Sequence, residues 1–116
     1  MLKKMTDSEY IYTRACRIRD IIVAVLSGTS CAGFDFFGSI ANKNAHADSD
    51  IDIYIKHFDN QYEVAGNIKR LENAGIAFID KRGVHIYQFK YTNRFDEVNI
   101  DIATFPFAYE LNRKKR

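Results

Sequence analysis

The sequence predicts an α/β domain, more closely of the α+β type, with one mixed β-sheet and helices mainly on one face. Segments with helical periodicity alternate with short strand-like segments in the first two thirds of the chain, and strand-like segments joined by turns follow. A chain of 116 residues, 47% of them hydrophobic, can build one core but not two. We therefore expect a single domain over residues 1–116, with 110–116 as a basic, frayed tail.

Composition narrows the classes of function. The net charge of +2 comes from the basic C-terminal tail, and the rest of the chain is mildly acidic, so nucleic acid is a less favoured partner. No apolar run approaches the roughly 20 residues of a membrane span, which excludes a membrane partner, and the N-terminus lacks the apolar segment of a secretory signal. Cys16 and Cys31 fit neither a metal-ligand spacing nor a disulfide framework. Free thiols indicate a cytoplasmic protein.

The first two thirds of the chain are predicted to form two long helices, two strands and a short helix. Thr6 and Glu9 have capping-box spacing, and Gly28 is a plausible helix end. Between them one helical face carries apolar residues, namely Ile11, Ala15, Ile18, Ile22 and Val25. A strand over residues 34–37, a short helix over 40–45, a strand through residues 51, 53 and 55 and a helix over 61–74 follow.

The last third is predicted to contain only strands and turns. Strands are expected over residues 76–79, 85–91 and 97–105, with a turn at 81–83 and Pro106 closing the last strand. In the second of these strands Ile86, Gln88 and Lys90 face one way. The opposite face carries His85 and the aromatic residues Tyr87, Phe89 and Tyr91, and we interpret it as a core-packing face in preference to a base-stacking one.

Two aspartates in the strand that begins near residue 51 are the strongest chemical signal. Asp50 and Asp52 lie two residues apart, so both carboxylates leave the same face of the strand, opposite Ile51, Ile53 and Ile55. A carboxylate pair is costly to bury unless a cation lies against it. Hard cations such as Mg²⁺ take carboxylate and phosphate oxygens, and two such ions can assist an in-line displacement at phosphorus. The pattern predicts a two-metal site for phosphate chemistry.

A two-metal site needs a third carboxylate from a neighbouring strand. Asp101 is the best candidate because it lies between Ile100 and Ile102, with its side chain on the face opposite theirs. Asp80 and Glu97 are the weaker alternatives, since Asp80 abuts a turn and Glu97 begins its strand.

The second half of the site is predicted at the end of the preceding strand. Gly38 allows a phosphate to approach the backbone closely, and Ser39 offers its hydroxyl and nearby N–H groups at a helix start. Lys43 adds positive charge, although a solvated surface lysine is an equally good interpretation. His46, in the loop between the two halves, is best interpreted as a solvated loop histidine.

These motifs together resemble the signature of the DNA-polymerase-β-type nucleotidyltransferase superfamily. Phe37-Gly38-Ser39, ten intervening residues and then Asp50-Ile51-Asp52 are similar to its small members, the minimal nucleotidyltransferases. The resemblance implies the nucleotidyltransferase, polymerase-β palm-like fold. It also implies that Asp50, Asp52 and Asp101 are catalytic metal ligands for Mg²⁺, with Asp101 as a general base. Gly38, Ser39 and Lys43 would then bind ATP or another nucleoside triphosphate.

The resemblance further implies transfer of a nucleoside monophosphate, often AMP from ATP, to a hydroxyl acceptor. Some small members pair with a HEPN-type helical toxin protein and adenylylate it, as antitoxins. This chain departs from the family pattern at Ile40, Asn42 and Lys43, where arginines and a glycine are usual. A nucleotidyltransferase-fold binding module or antitoxin subunit that acts by contact alone is therefore an alternative. An antibiotic-type small-molecule nucleotidyltransferase is another, and homo-oligomerisation is left open.

Overall fold

The computed structural model describes residues 7–41, 50–94 and 97–105. Three helices and five strands lie within these ranges. The helices are α1 (Asp7–Val25), α2 (Gly38–Ala41) and α3 (Val64–Asn73). The strands are β1 (Ala32–Phe37), β2 (Ile51–Lys56), β3 (Ile76–Arg82), β4 (Ile86–Thr92) and β5 (Glu97–Ala103). Lys43, His46, Pro106 and the predicted tail 110–116 lie outside the described residues, as does the predicted end of the short helix at residue 45.

The five strands form one mixed sheet in the order β1-β2-β5-β4-β3. Among the five described strands, the pair β2 with β5 is parallel, and the other three pairs are antiparallel. This is the predicted mixed sheet, and it confirms the predicted fold class. Because β5 lies between β2 and β4, the strand that carries Asp52 is next to the strand that carries Asp101.

One face of the sheet packs against the helices and forms the core. The buried apolar residues on the helical side are Ile11, Ala15, Ile18 and Ile22 of α1, Leu26 just beyond it, Ile40 of α2 and Leu71 of α3. The sheet contributes alternate residues, including Ile51, Ile53, Ile55, Tyr87, Phe89, Val98, Ile100 and Ile102. Because side chains alternate between the two faces of a strand, the intervening polar residues of β2, β4 and β5 lie on the opposite face. The apolar pattern therefore separates a packed face from a polar one.

Several predicted boundaries differ from the structure. The short helix begins at Gly38, not at residue 40, β4 covers Ile86–Thr92 and not 85–91, and β5 ends at Ala103, not at residue 105. The second long helix begins at Val64, not at residue 61, because the Asn60 side chain accepts the Tyr62 N–H at 2.9 Å and favours a turn there. The first strand begins at Ala32, two residues earlier than predicted, across an irregularity in its pairing with β2. Lys81 and Arg82 belong to β3 and not to a turn, since this edge strand pairs only with β4 and tolerates exposed polar residues.

In the ranges that the structure describes, no helix is long and apolar enough to cross a membrane.

The assignment of the core predicts that replacing two isoleucines by alanine will have very different effects on stability. Ile53 is fully buried in β2, whereas Ile79 of β3 is 53% exposed. Ile53→Ala should lower the free energy of unfolding by about 2–5 kcal/mol, because it removes buried methyl groups and leaves a cavity. The same change at Ile79 should cost less than about 1 kcal/mol. Urea denaturation of both variants checks this, and equal losses would contradict the assignment of faces.

Candidate active site

The parallel pairing of β2 with β5 places two of the predicted carboxylates side by side. Asp52 is the register partner of Asp101, and each lies between two isoleucines that are buried in the core. Residues directly opposite in adjacent strands point to the same face of a sheet. Both aspartates are half-buried and emerge on the face away from the core.

Asp50 immediately precedes β2 and is also half-buried. Its charge acts on Asp101. The pKa of the Asp101 carboxyl is raised above its ordinary value, first because partial burial disfavours the charged form and also because of the negative charge of Asp50. A hydrogen bond from Gln88 and the positive charge of Arg82 partly oppose this rise. Asp50 is therefore electrostatically coupled to Asp101, and Asp52 lies beside Asp101 in the sheet.

Two residues that the sequence did not single out also act on Asp101. Gln88 lies opposite Asp101 in the β4–β5 pairing, and its Nε2 donates a hydrogen bond to Asp101 Oδ1 at 3.2 Å. Arg82, at the end of β3, contributes positive charge at Asp101. The alternation of β4 already placed Gln88 on the face opposite the aromatic residues. Its pairing with Asp101 depends on strand register, which periodicity alone does not give.

The predicted phosphate-binding segment lies at the end of the strand next to Asp52. Phe37 is the register partner of Asp52, and Gly38 directly follows it. Gly38 is buried and has a φ of 70°, a left-handed conformation that favours glycine, at the turn from β1 into α2. Ser39 lies within α2, of which the structure describes Gly38–Ala41. The structure thus brings Gly38 and Ser39 to the strand end beside Asp52.

The other acidic candidates occupy different positions. Asp80 lies on the edge strand β3, opposite Gln88, and is exposed. Glu97 is exposed at the start of β5 and forms a 3.3 Å ion pair with Lys90. Of the three candidates for a third carboxylate, only Asp101 is the register partner of Asp52.

The aromatic face of β4 packs in the core as predicted. Tyr87 and Phe89 are 6% and 1% exposed, and both rings pack edge-on against Phe58. His85 lies just before β4, where its ring stacks on Phe105 with centroids 4.7 Å apart.

The donor set fits a hard divalent cation in chemical type, since Mg²⁺ prefers carboxylate oxygens completed by water and phosphate. Within residues 7–41, 50–94 and 97–105, no group of three acidic, histidine or cysteine side chains is gathered closely enough to hold a metal ion by itself. Carboxylates that share a site repel one another in the absence of a cation. Any metal bound here would therefore draw the aspartates together and take further ligands from a substrate.

A family model described as "nucleotidyltransferase domain" matches residues 18–116. The chain therefore belongs to the nucleotidyltransferase domain family. The match includes all of the predicted site residues, from Gly38 to Asp101. A comparison with curated proteins finds no match.

Solved structures with a similar fold include polymerases that act on RNA. A Cid1 poly(U) polymerase structure with Mg 3′-dATP bound has a TM-score of 0.70 and 19% identity, covering 97% of this chain and 36% of that one. A structure of a cytoplasmic RNA terminal U-transferase has a TM-score of 0.64 and 20% identity, covering 95% and 34%. Cid1 with the UTP analogue UMPNPP has a TM-score of 0.63 and 19% identity, covering 97% and 35%. The chain spans about a third of the length of these proteins.

The raised pKa of Asp101 predicts how its removal affects stability. An acid with a higher pKa in the folded than in the unfolded chain binds more protons when folded, so its contribution becomes less favourable as pH rises between the two pKa values. Asp101→Asn should therefore raise the free energy of unfolding of the metal-free protein at pH 7. This gain in the free energy of unfolding should disappear at a pH below the ordinary pKa of an aspartate carboxyl, where Asp101 is protonated in both the folded and the unfolded chain.

Denaturation of Asp101→Asn across this pH range checks the prediction. Asp20→Asn, at an exposed position of α1, is the control and should change stability by less than about 0.5 kcal/mol. A loss of stability in Asp101→Asn at pH 7, in the absence of metal, would contradict the electrostatic account.

Proposed function

We propose that this chain transfers a nucleoside monophosphate from a nucleoside triphosphate to a hydroxyl acceptor, with Mg²⁺ as cofactor. The observation that carries the proposal is the register pairing of Asp52 with Asp101 on the polar face of the sheet. The family match supports the general class of reaction. Structures of Cid1 with MgGTP and with a UTP analogue, which share this fold, make a metal-bound triphosphate a reasonable substrate to test.

Each predicted site residue has a role in this proposal. Asp50, Asp52 and Asp101 would hold Mg²⁺, which when bound polarises the reacting phosphate and stabilises charge on the attacking and leaving oxygens. Asp101 would also accept the proton of the acceptor hydroxyl, and its raised pKa improves it as a base. Gly38 and Ser39, at the strand end next to Asp52, would position the triphosphate through backbone N–H groups. Lys43 would contribute positive charge.

The proposal also names a nucleotide and an acceptor to test first. ATP is the first nucleotide to test, with AMP transferred to a hydroxyl of a partner protein such as a HEPN-type toxin, in a toxin–antitoxin pair. The similarity of fold to RNA terminal uridylyl transferases favours a second acceptor, the 3′ hydroxyl of an RNA, with UTP as donor. A cytoplasmic location suits either acceptor and is supported by the free thiols of Cys16 and Cys31.

A binding module without turnover is the alternative from another class. It is motivated by Ile40, Asn42 and Lys43, which replace residues usual in the small family members. Calorimetry with ATP and Mg²⁺ separates the two cases. Tight nucleotide binding without transfer to protein, RNA or small-molecule acceptors would favour the binding module.

The transferase proposal predicts that activity depends on the paired aspartates. Purified protein, Mg²⁺ and each labelled nucleoside triphosphate should be incubated with co-purified protein, RNA and small hydroxyl compounds in turn. Asp50→Asn and Asp52→Asn should each reduce transfer at least about 100-fold, since each metal ligand is expected to contribute several kcal/mol of transition-state stabilisation.

Asp80→Asn is the matched control, because Asp80 is an exposed carboxylate on an edge strand of the same sheet. It should retain transfer within about threefold of wild type. Full activity in Asp50→Asn or Asp52→Asn would contradict the assignment.

A further inference from the structure

Gln88 occupies the strand position next to the carboxylate pair. It is the register partner of Asp101 on one side and of Asp80 on the other. With Asp52 these residues form one row across four adjacent strands, Asp52–Asp101–Gln88–Asp80. This row of four side chains contains three carboxylates and one amide, that of Gln88. The amide is hydrogen-bonded to the Asp101 carboxylate.

The contact between Gln88 and Asp101 has a definite donor and acceptor. An ionised carboxylate only accepts hydrogen bonds, so the Nε2 amino group of Gln88 must face it. The bond joins Nε2 to Oδ1 at 3.2 Å and is partly buried. It occupies one carboxylate oxygen and restricts rotation of the carboxylate group, which leaves Oδ2 to be presented in a defined direction.

The strand that carries Gln88 is firmly held. The residues before and after it, Tyr87 and Phe89, are buried on the core face, and their rings pack against Phe58 with centroids 5.3 and 6.0 Å away. A side chain on such a strand is positioned more precisely than one on a loop. The amide therefore reaches Asp101 from a fixed backbone.

A neutral donor suits a carboxylate that must bind a cation. Lysine or arginine at this position would form a charge-assisted bond and would compete with the metal ion for the carboxylate. The next residue on the same face of β4, Lys90, lies opposite Asn99 and is paired with Glu97 at 3.3 Å. The cation of this strand face is thus engaged by another carboxylate, and the amide is the group beside Asp101.

We propose that Gln88 is a positioning residue of the nucleotidyltransferase site: its amide fixes the Asp101 carboxylate so that the second oxygen serves the metal ion and the acceptor hydroxyl. This inference rests on the proposed function in assigning Asp101 to the metal site. Hydrogen-bonding partners of metal ligands typically change metal affinity or activity by about 10- to 100-fold when they are removed. Gln88 should therefore matter without contacting the substrate.

The test compares two substitutions of similar shape on one strand. Gln88→Met removes the amide and keeps an unbranched side chain, and Lys90→Met makes the same replacement one position along the same face. Mn²⁺ affinity is measured by electron paramagnetic resonance titration, first with the free ion and then with its complex with a non-hydrolysable nucleoside triphosphate, because a metal here is expected to take further ligands from a substrate. Gln88→Met should weaken Mn²⁺ binding about 10-fold or more, and Lys90→Met should leave it within about twofold of wild type.

Kinetics separate positioning from general damage. In Gln88→Met, kcat for nucleotide transfer should fall about 10-fold while KM for the nucleotide stays within about threefold. Wild-type Mn²⁺ affinity together with wild-type kcat in Gln88→Met would overturn the proposal. If wild type transfers no nucleotide but Gln88→Met still weakens Mn²⁺ binding, the role of Gln88 stands and the transferase proposal fails. A wild-type protein that binds Mn²⁺ neither as the free ion nor in complex with the nucleotide would overturn both.

A spectroscopic measurement covers the case in which Gln88→Met does not fold. In the metal-free protein, the side-chain amide resonances of Gln88 should shift in Asp101→Ala, because the hydrogen bond to the carboxylate is lost. They should stay in place in Lys90→Met. Unchanged Gln88 amide resonances in Asp101→Ala would overturn the proposal.

Discussion

The parallel pairing of β2 with β5 is the interaction on which the rest of this structure depends. Ile51 pairs with Ile100 and Ile53 with Ile102, and all four side chains are buried under the helices. Burial of each such side chain contributes about 1.5–3 kcal/mol. A shift of one residue in this pairing would turn one set of isoleucines outward, so the core strongly favours a single register. The register of the two aspartates follows from the packing of their apolar neighbours.

The same pairing concentrates negative charge on the polar face. Asp52 and Asp101 lie side by side, Asp50 acts on Asp101 through its charge, and burial adds to the cost of ionising that carboxyl. The core face thus supports an electrostatic arrangement that is unfavourable by itself. A bound cation, with a phosphate as a further ligand, would offset this electrostatic cost. The proposed nucleotidyl transfer is based on that expectation.

Only the parts of the fold with a strong apolar period could be predicted closely from the sequence. The buried stripe of α1, the alternation of β2 and the aromatic core face of β4 follow from periodicity, and the structure confirms them. Residues 80–82 of β3 lie beyond the predicted strand 76–79, because an exposed edge strand carries no apolar signal. The start of the second long helix was misplaced because the Asn60 side chain favours a turn there over helix.

Only those residues of the candidate site that have a local sequence signal could be predicted. Asp50, Asp52 and Gly38-Ser39 form a local motif, and Asp101 stands out between two core isoleucines. Gln88 and Arg82 act on Asp101 only through the order and register of β5, β4 and β3. Those are long-range properties, and no local pattern specifies them.

The most direct test of the central claim is a crystal structure of the protein with Mn²⁺ and a non-hydrolysable nucleoside triphosphate, with manganese located by anomalous scattering. The account predicts manganese bound between the Asp52 and Asp101 carboxylates and in contact with the phosphates, at the end of β1. Manganese bound only to the nucleotide, away from the paired aspartates, would contradict it.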